Sequence, residues 1–573
     1  MNENLEDLKQ KAGQLAANNR WDELIPVCTE LIDLAQETSE KAYAYLQRGF
    51  AYLQKRDLDQ AIADFTKTLE HKDDYAQAYL GLGIVWSNKR DHDRAITYFN
   101  KAVELHPRDA MMYVHRGVTY DEKGDYDRAI ADFSEAINLD PRHALAYHNR
   151  GLTYSHRGRT YTQRGMTSEA IAEFDEAIRD FSEAIGLNLK EASTYSGRGG
   201  AYIEKGNYGF ALNDFISADE CDPNLKMRAP AIYIASQIAA IYKGTNQADA
   251  KATAFKFYFK LFRASDTVKI NRFWGPQAEV AHYTSLHTLK SLADKGRFRL
   301  YNAAYMNDPE EGRVFFEIMN SRPEINIDIE DSFYQDSKLH PSPAYIGSFV
   351  ITDENQQESK DELFLWRTYG KHDAEEAAGA CLIFKGHNFA ETAEIQIGGM
   401  HQQSPTGNNQ PFQHSQQEES TELPTLYKVS YIESENKALN EELGDLAKCL
   451  KQIEDEVINK ADDKKEQLRN LVCQILDSIR FLFKKSHYQA EKEVRIIQVH
   501  YFRENEESTT DGIQVDTEQI PPRFYLETSK DFRFSEVILG PKTRHIEEWL
   551  RWLKQQGHDY VKQSAIKYGT KYI

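Results

Sequence analysis

The stretch that decides the fold is Tyr113-Val-His-Arg116-Gly117-Val-Thr-Tyr120, followed after a polar turn by Ala129-Ile-Ala-Asp132-Phe133. The pattern Tyr-x-x-Arg-Gly-x-x-Tyr stands again at Tyr45/Arg48/Gly49/Tyr52, Tyr147/Arg150/Gly151/Tyr154 and Tyr195/Arg198/Gly199/Tyr202, with a variant at Tyr79/Leu82/Gly83/Trp86. Gly49, Gly83, Gly117 and Gly151 are 34 residues apart. An Ala…Phe pair recurs downstream as Ala61/Phe65, Ala95/Phe99, Ala129/Phe133 and Ala211/Phe215, and Pro107, Pro141 and Pro223 close three of the units. A fixed period of this length marks a helical repeat that buries its core by stacking on its neighbours. The small residues let two antiparallel helices approach closely, and the aromatics fill the gaps between units.

These motifs resemble the tetratricopeptide repeat (TPR), and the resemblance covers residues 1–225. It implies an α-helical solenoid that binds a protein partner. Residues 4–35, with Trp21, read as a degenerate first repeat, and 226–275 as capping helices and a linker carrying Ile232, Ile238, Ile241, Phe255 and Phe259. The residue after each motif glycine is Phe50, Ile84, Val118, Leu152 or Gly200. TPR proteins that grip a terminal carboxylate place Asn there, so a free acidic C-terminus is not the expected ligand.

Gly151 and Gly199 are 48 residues apart, and the extra 14 have an origin. The first arm repeats a heptad, Tyr147-x-x-Arg150-Gly151, Tyr154-x-x-Arg157-Gly158, Tyr161-x-x-Arg164-Gly165. The second does the same, Ala170-Ile-x-x-Phe174, Ala177-Ile-x-x-Phe181, Ala184-Ile185. Seven residues added to each arm keep the antiparallel pairing and lengthen a hairpin over 144–187 by about 10 Å at roughly 1.5 Å per residue. An internal pairing is also visible. Arg48, Arg116 and Arg198 stand against Asp64, Asp132 and Asp214, while Leu82 stands against Tyr98. In the long hairpin the same rule matches Arg150 with Asp180 and Arg157 with Glu173.

The chain has 573 residues and a formal net charge of −20. That balance argues against nucleic-acid binding through bulk charge, which needs a basic face to displace counterions. The start, Met1-Asn-Glu-Asn-Leu-Glu-Asp, lacks a basic and an apolar signal region, and no apolar run approaches the roughly 20 residues of a membrane span. Cys28, Cys221, Cys381, Cys449 and Cys473 form no CxxC pair. A reduced, cytoplasmic protein is expected, with no membrane contact and no metal site.

Beyond about residue 276 the period changes, and 276–573 reads as an α+β domain. Short β-like segments fall at Val280–Thr284, Phe298–Tyr301, Ala344–Ile351, Ala380–Phe384, Leu426–Ile432, Glu493–Val499, Phe524–Leu526 and Val537–Leu539. A Gln/Ser/Asn-rich loop over 401–422 is expected to be disordered. A helical-hairpin insertion over 434–486 carries Leu439, Leu443, Leu446, Leu450, Ile453 and Val457, then Leu468, Leu471, Ile475 and Ile479.

Four strings in this domain carry candidate chemistry: His282-Tyr283-Thr284-Ser285, Asn307-Asp308-Pro309-Glu310-Glu311, Leu365-Trp366-x-x-Tyr369-Gly370 and Tyr488-x-x-Glu491-Lys492-Glu493-Val494-Arg495. Each also has a plain structural role as a helix cap, a core aromatic or an edge strand. In this order they resemble a bacterial family of domains of unknown function, over about 278–545. A more distant resemblance is to ADP-ribosyltransferases. It implies an NAD cofactor, His282 and Thr284 on an early strand, Ser348 on a middle strand, and catalytic carboxylates at Glu491 and Glu493 on a late strand. Tyr301, Tyr305 or Trp366 would then stack on nicotinamide, with Asn307, Asp308, Tyr369 and Arg495 completing the pocket. His282 and Glu493 are expected in one cleft on adjacent strands, with Arg495 paired to Asp308 or Glu310.

Three readings stand side by side: a TPR-tethered enzyme that uses NAD, a recognition module without chemistry, and a metal-dependent nuclease using Asp308, Glu310 and Glu493. A sensor arm coupled to an output domain would suit stress response or phage defence by architecture alone.

Overall fold

A computed structural model describes residues 2–223 and 229–272 continuously and, further on, the helices and strands named below. Helix dominates the described residues. They divide into two compact units, with the boundary between Ile232 and Tyr233.

The first unit is a run of antiparallel helix pairs. A leading pair, α1 (Asn2–Ala17) and α2 (Trp21–Leu34), precedes α3 (Thr38–Gln54) with α4 (Leu58–His71), and α5 (Ala76–Asn88) with α6 (His92–Leu105). Then come α7 (Ala110–Glu122) with α8 (Tyr126–Leu139), α9 (Ala144–Gln163) with α10 (Thr167–Gly186), and α11 (Ala192–Glu204) with α12 (Tyr208–Cys221). The turns recur with the sequence. Asp57, Asp91 and Asp125 cap the second helices by accepting from the backbone N–H of Gln60, Arg94 and Arg128. The residue just before each cap, Arg56, Arg90 or Gly124, is left-handed, with φ of 59°, 60° and 82°.

Packing explains the glycines. Phe65 is fully buried and lies between two of them; a Cβ on Gly49 would meet its ring at 2.8 Å and one on Gly81 at 2.5 Å. The first belongs to its own repeat and the second to the next, so one ring closes both contacts.

The fourth pair is long. α9 and α10 have 20 residues each, against 13 and 14 in both neighbouring pairs. Its core repeats the heptads, with Phe174 and Phe181 both buried and standing against Gly158 and Gly151.

In the second unit, α13 (Pro230–Ile241), which the boundary divides, leads to α14 (Ala248–Ile270). α14 packs on the helices of the 434–486 stretch, α17 (Lys437–Ile453) and α18 (Lys465–Leu476), which a π-helical turn over Glu454–Ile458 separates. The fully buried Tyr258 donates its hydroxyl to the carbonyl of Leu468 at 2.7 Å, and Tyr233 donates to Gln474 at 2.6 Å. The helices expected to cap the repeats therefore supply a core for the second unit.

Twelve described strands follow, with α15 (Leu286–Lys295), α16 (Arg313–Asn320) and α19 (Ile546–Gln555) among them. β1 (Val280–Thr284), β2 (Arg299–Asn302), β3 (Ala344–Ile351), β4 (Ala380–Phe384) and β8 (Glu493–Val499) surround the candidate residues. β5 (Tyr427–Lys428) pairs with β8, while β6 (Ser430–Ile432) and β7 (Phe483–Lys485) pair with each other. β9 (Ile513–Asp516), β10 (Arg523–Glu527), β11 (Phe534–Leu539) and β12 (Val561–Gln563) complete the large sheet, in the order β12-β11-β4-β1-β3-β2-β10-β9. On one side β4 is buried throughout, and Val280, Leu382 and Val537 pack with Leu289 of α15 and Leu553 of α19. The 401–422 loop lies outside the described residues.

Candidate functional site

In the first unit the charged motif residues are spent on the scaffold. Arg48 grips Asp64 with two bonds of 2.7 and 2.9 Å, Arg116 grips Asp132 at 2.8 and 2.7 Å, and Arg198 grips Asp214 at 2.9 and 2.7 Å. The long hairpin follows the same rule, with Arg150 on Asp180 at 2.7 and 2.8 Å and Arg157 on Glu173 at 3.0 Å twice. Each guanidinium also reaches back to the preceding helix pair: Arg48 to Thr29, Arg116 to Asn100, Arg150 to Ser134, Arg198 to Ser182 and Arg157 to Asp127. The planar fork makes this dual use feasible, since two nitrogens serve the acid and a third the neighbour.

Sequence reasoning missed two further series. At the end of four of the first helices a lysine pairs with an acid of the preceding pair: Lys55 with Asp22, Lys89 with Asp59, Lys123 with Asp93 and Lys205 with Asp175, while in α9 Arg157 takes that place, on Asp127. A polar strip also crosses four helix pairs. Ser87 donates to Glu122 at 3.0 Å, His156 Nδ1 lies 3.0 Å from Asp121, and Arg159 stands 3.8 Å from Glu204. Its signal in the sequence is a polar residue one or two places beyond the second motif aromatic, as in Trp86-Ser87 and Tyr120-Asp121-Glu122. Beside the motif glycines stand Ile84 and Gly200, buried, and Phe50, Val118 and Leu152, half-buried.

In the second unit the candidate strands meet at β3. β8 pairs along it from Ala344↔Val499 to Val350↔Glu493 and so occupies one whole edge. The other edge is shared. β1 pairs there only at Val280↔Ile351 and Ala281↔Val350, and β2 only at Tyr301↔Ile346 and Asn302↔Tyr345. Residues 347–349 of that edge are left between them. β1 turns away after Ala281 and continues on β4, as far as Thr284↔Ala380.

His282 stands where the strands part. Its Nδ1 lies 2.9 Å from the carbonyl oxygen of Ser348, replacing the backbone bond that the separation removes. Burial pushes the imidazole down to about 4, against a smaller opposing pull from that carbonyl. The ring is therefore neutral near pH 7, with its proton on Nδ1, because a carbonyl can only accept. The Ser348 hydroxyl is buried with no hydrogen-bond partner among the described residues. Opposite Ser348 across β3–β8 is Arg495, which is fully buried.

The structure corrects one expectation. β1 and β8 are not adjacent, because β3 lies between them, and two strand spacings of about 4.8 Å separate their backbones. Glu493 falls in the cross-strand row of Ala281 and Val350, so His282 is one residue out of phase with it. Long-range order of this kind depends on strand pairing that local pattern does not encode. Tyr301 lies on β2, also opposite Tyr525 of β10. Tyr305, Asn307, Asp308, Glu310, Trp366, Tyr369 and Glu491 lie outside the described residues.

Comparison with known proteins bears on the first unit. Residues 119–156 match a model described as TPR repeat, and 46–110 match one described as tetratricopeptide repeat. No curated protein matches the chain. Among solved structures, the MamA protein is 26% identical over 32% of this chain and 93% of its own, with a TM-score of 0.27. YrrB, described as a TPR protein with an unusual peptide-binding site, is 21% identical over 34% of this chain and 93% of its own, with a TM-score of 0.27. MamA from Desulfovibrio magneticus RS-1 is 20% identical over 32% of this chain and 96% of its own, with a TM-score of 0.28. Among the described residues no helix is long and apolar enough to cross a membrane. The first unit carries tetratricopeptide repeats, and these imply protein partners.

Proposed function

We propose that the repeat array binds a protein and that the second unit, an α+β effector domain, uses NAD to modify the bound partner or to cleave NAD. The observation that carries this reading is the meeting of β1, β3 and β8. The early, middle and late strands singled out in the sequence lie side by side, with the middle one in the middle. Polar groups stand at their parting: a neutral imidazole whose Nδ1–H is held by the Ser348 carbonyl, so that its Nε2 can only accept, and a buried serine hydroxyl without a partner among the described residues. Bound NAD supplies a nicotinamide–ribose bond whose cleavage leaves positive charge on the ribose carbon. In this reading Ser348, in phase with Glu493 along β3–β8, orients the sugar, and His282 fixes the parting of the strands by holding the Ser348 carbonyl. Glu493, at the start of β8, offsets the developing charge, as a carboxylate does in glycosidic cleavage. Arg495, buried beside Ser348, holds β8 in register.

A second reading, recognition without chemistry, draws on the same facts. A neutral His282 bonded to a backbone carbonyl and an internal Arg495 also serve purely to shape the sheet. Incubating the whole protein with NAD, and measuring nicotinamide release and mass gain on a co-purified protein, separates the two. Glu493→Gln should keep the native circular dichroism spectrum and lose turnover. No turnover in either protein favours the recognition reading, and equal turnover in both removes Glu493 from the chemistry.

A further inference from the structure

The outer half of the long hairpin duplicates a surface whose occupant is visible one heptad further in. On the inner heptad of α10, Phe181 lies against α11 so closely that a Cβ on Gly197 would stand 2.6 Å from its ring, and Ser182 accepts from Arg198 at 3.0 Å. Ile178 is half-buried at the same interface. One heptad out, Ile171 occupies the position of Ile178 on the same face. α11 ends at Glu204, and the next residue, Lys205, makes the last bond to α10, at Asp175. Gly206, at φ 77°, then turns the chain into α12. Asp175 is the ninth residue of α10, whereas Asp59, Asp93 and Asp127 are each the second of their helices. Seven residues of α10 therefore continue past the end of α11, about 10 Å.

Beside the exposed Thr167, Ser168 and Glu169, two large apolar side chains are left over here, one on the outer heptad of α10 and one just after the α11–α12 turn. Ile171 is 43% exposed and Phe210, stacked on Tyr202 beside the α11–α12 turn, is 63% exposed. They are the large exposed hydrophobic side chains of the described chain. The equivalents of Phe210 in the two regular repeats before the long hairpin are Arg94 and Arg128, whose guanidinium groups cover Trp86 and Tyr120.

We propose that this step is a docking site for an amphipathic α-helix of a partner protein, seated along the outer heptad of α10 with its apolar stripe on Ile171 and Phe210. The site continues the α10–α11 interface outward, and its height of about 10 Å matches the diameter of one helix. The helix takes the place that α11 would fill if it too were seven residues longer.

The test uses the full chain and a hydrocarbon-stapled, fluorescent peptide of the α11 sequence, residues 192–204, because α11 is the occupant of the inner copy. One variant deletes 158–164 and 167–173. This joins Arg157-Gly165-Met166-Phe174-Asp175, the counterpart of Lys123-Gly124-Asp125-Tyr126-Asp127, and restores a 34-residue repeat. The second variant, Ile171→Glu, keeps the hairpin. The wild type should give saturable anisotropy, the deletion variant none, and Ile171→Glu at least about tenfold weaker binding, with native circular dichroism in both. Equal binding to all three proteins, or no saturation by about 1 mM peptide, overturns the proposal. A wild-type dimer that the deletion dissolves also overturns it, because the surface would then belong to a second copy of the chain.

Discussion

Arg150 and Asp180 are joined by two bonds of 2.7 and 2.8 Å across 30 residues of sequence, whereas Arg116 and Asp132 make the same grip across 16. The difference is the two inserted heptads. The grip is conserved in space because one heptad on each arm moves neither helix face away from the other. It also exposes how these pairs behave energetically. Asp132 and Asp180 are nearly buried, so an unpaired carboxylate at either place would be expensive to keep. Arg116→Leu alone should destabilise the protein by roughly 3 kcal/mol in chemical denaturation. The double change Arg116→Leu with Asp132→Tyr copies the Leu82/Tyr98 arrangement of the preceding repeat and should recover most of that loss.

Glycine substitutions should separate by the space around them. A Cβ at Gly83 would lie 2.4 Å from the ring of Phe99, whereas nothing stands within 4 Å of one at Gly186. Gly83→Ala should lower stability by about 1–3 kcal/mol through overpacking. Gly186→Ala should raise it by roughly 0.5–1 kcal/mol through helix propensity. Thermal melts of the two variants with opposite shifts would bear this out; equal shifts would refute it.

The buried histidines predict an acid dependence. Burial pushes His115 and His148 down to about 4 from the usual 6.5. Between those values the unfolded chain holds protons that the folded chain refuses, so stability falls as pH drops from 6.5. Each histidine contributes a slope of about 1.4 kcal/mol per pH unit in that window. His115→Gln should flatten the fall between pH 6.5 and 5, measured by urea midpoints, by one histidine's share.

In the second unit, Tyr258→Phe removes the donor to the Leu468 carbonyl and leaves that acceptor buried. A loss of about 1–2 kcal/mol is expected. Because the bond ties α14 to α18, hydrogen exchange should quicken in both helices together. A response confined to α14 would show that the two helices do not unfold as one body.

The repeat unit was legible because its information is local and periodic. The pairings Arg48–Asp64 and Arg157–Glu173 follow from counting along two antiparallel arms. The third leg of each arginine was not read, although Asn100, Ser134 and Ser182 each stand 16 residues before their arginine. Thr29 breaks that count, at 19. The strand segments of the second unit announced themselves by alternation, but their neighbours did not. That β3 lies between β1 and β8 is a matter of pairing across about 70 residues on one edge and about 150 on the other, and no short motif near His282 or Glu493 carries it. The sequence likewise offered no sign that the 347–349 edge of β3 would be left between two partners, or that His282 would bridge it.

The joined arms of α9 and α10 restrict how such an array can change length. A lone heptad in one arm would leave every later residue of that arm facing a partner seven places out of step, with Phe174 and Phe181 no longer against Gly158 and Gly151. Adding numbers that do not complete whole turns, as about seven or eleven residues do, would rotate the apolar stripe off the core. Repeat length in this protein is thus quantised: it advances by matched whole-turn additions to both arms, here a pair of heptads, as the step from 34 to 48 records. Insertions that survive in such an array should come as matched duplications on both sides of one turn, and the turn itself, Arg164-Gly165-Met166, should travel outward unchanged.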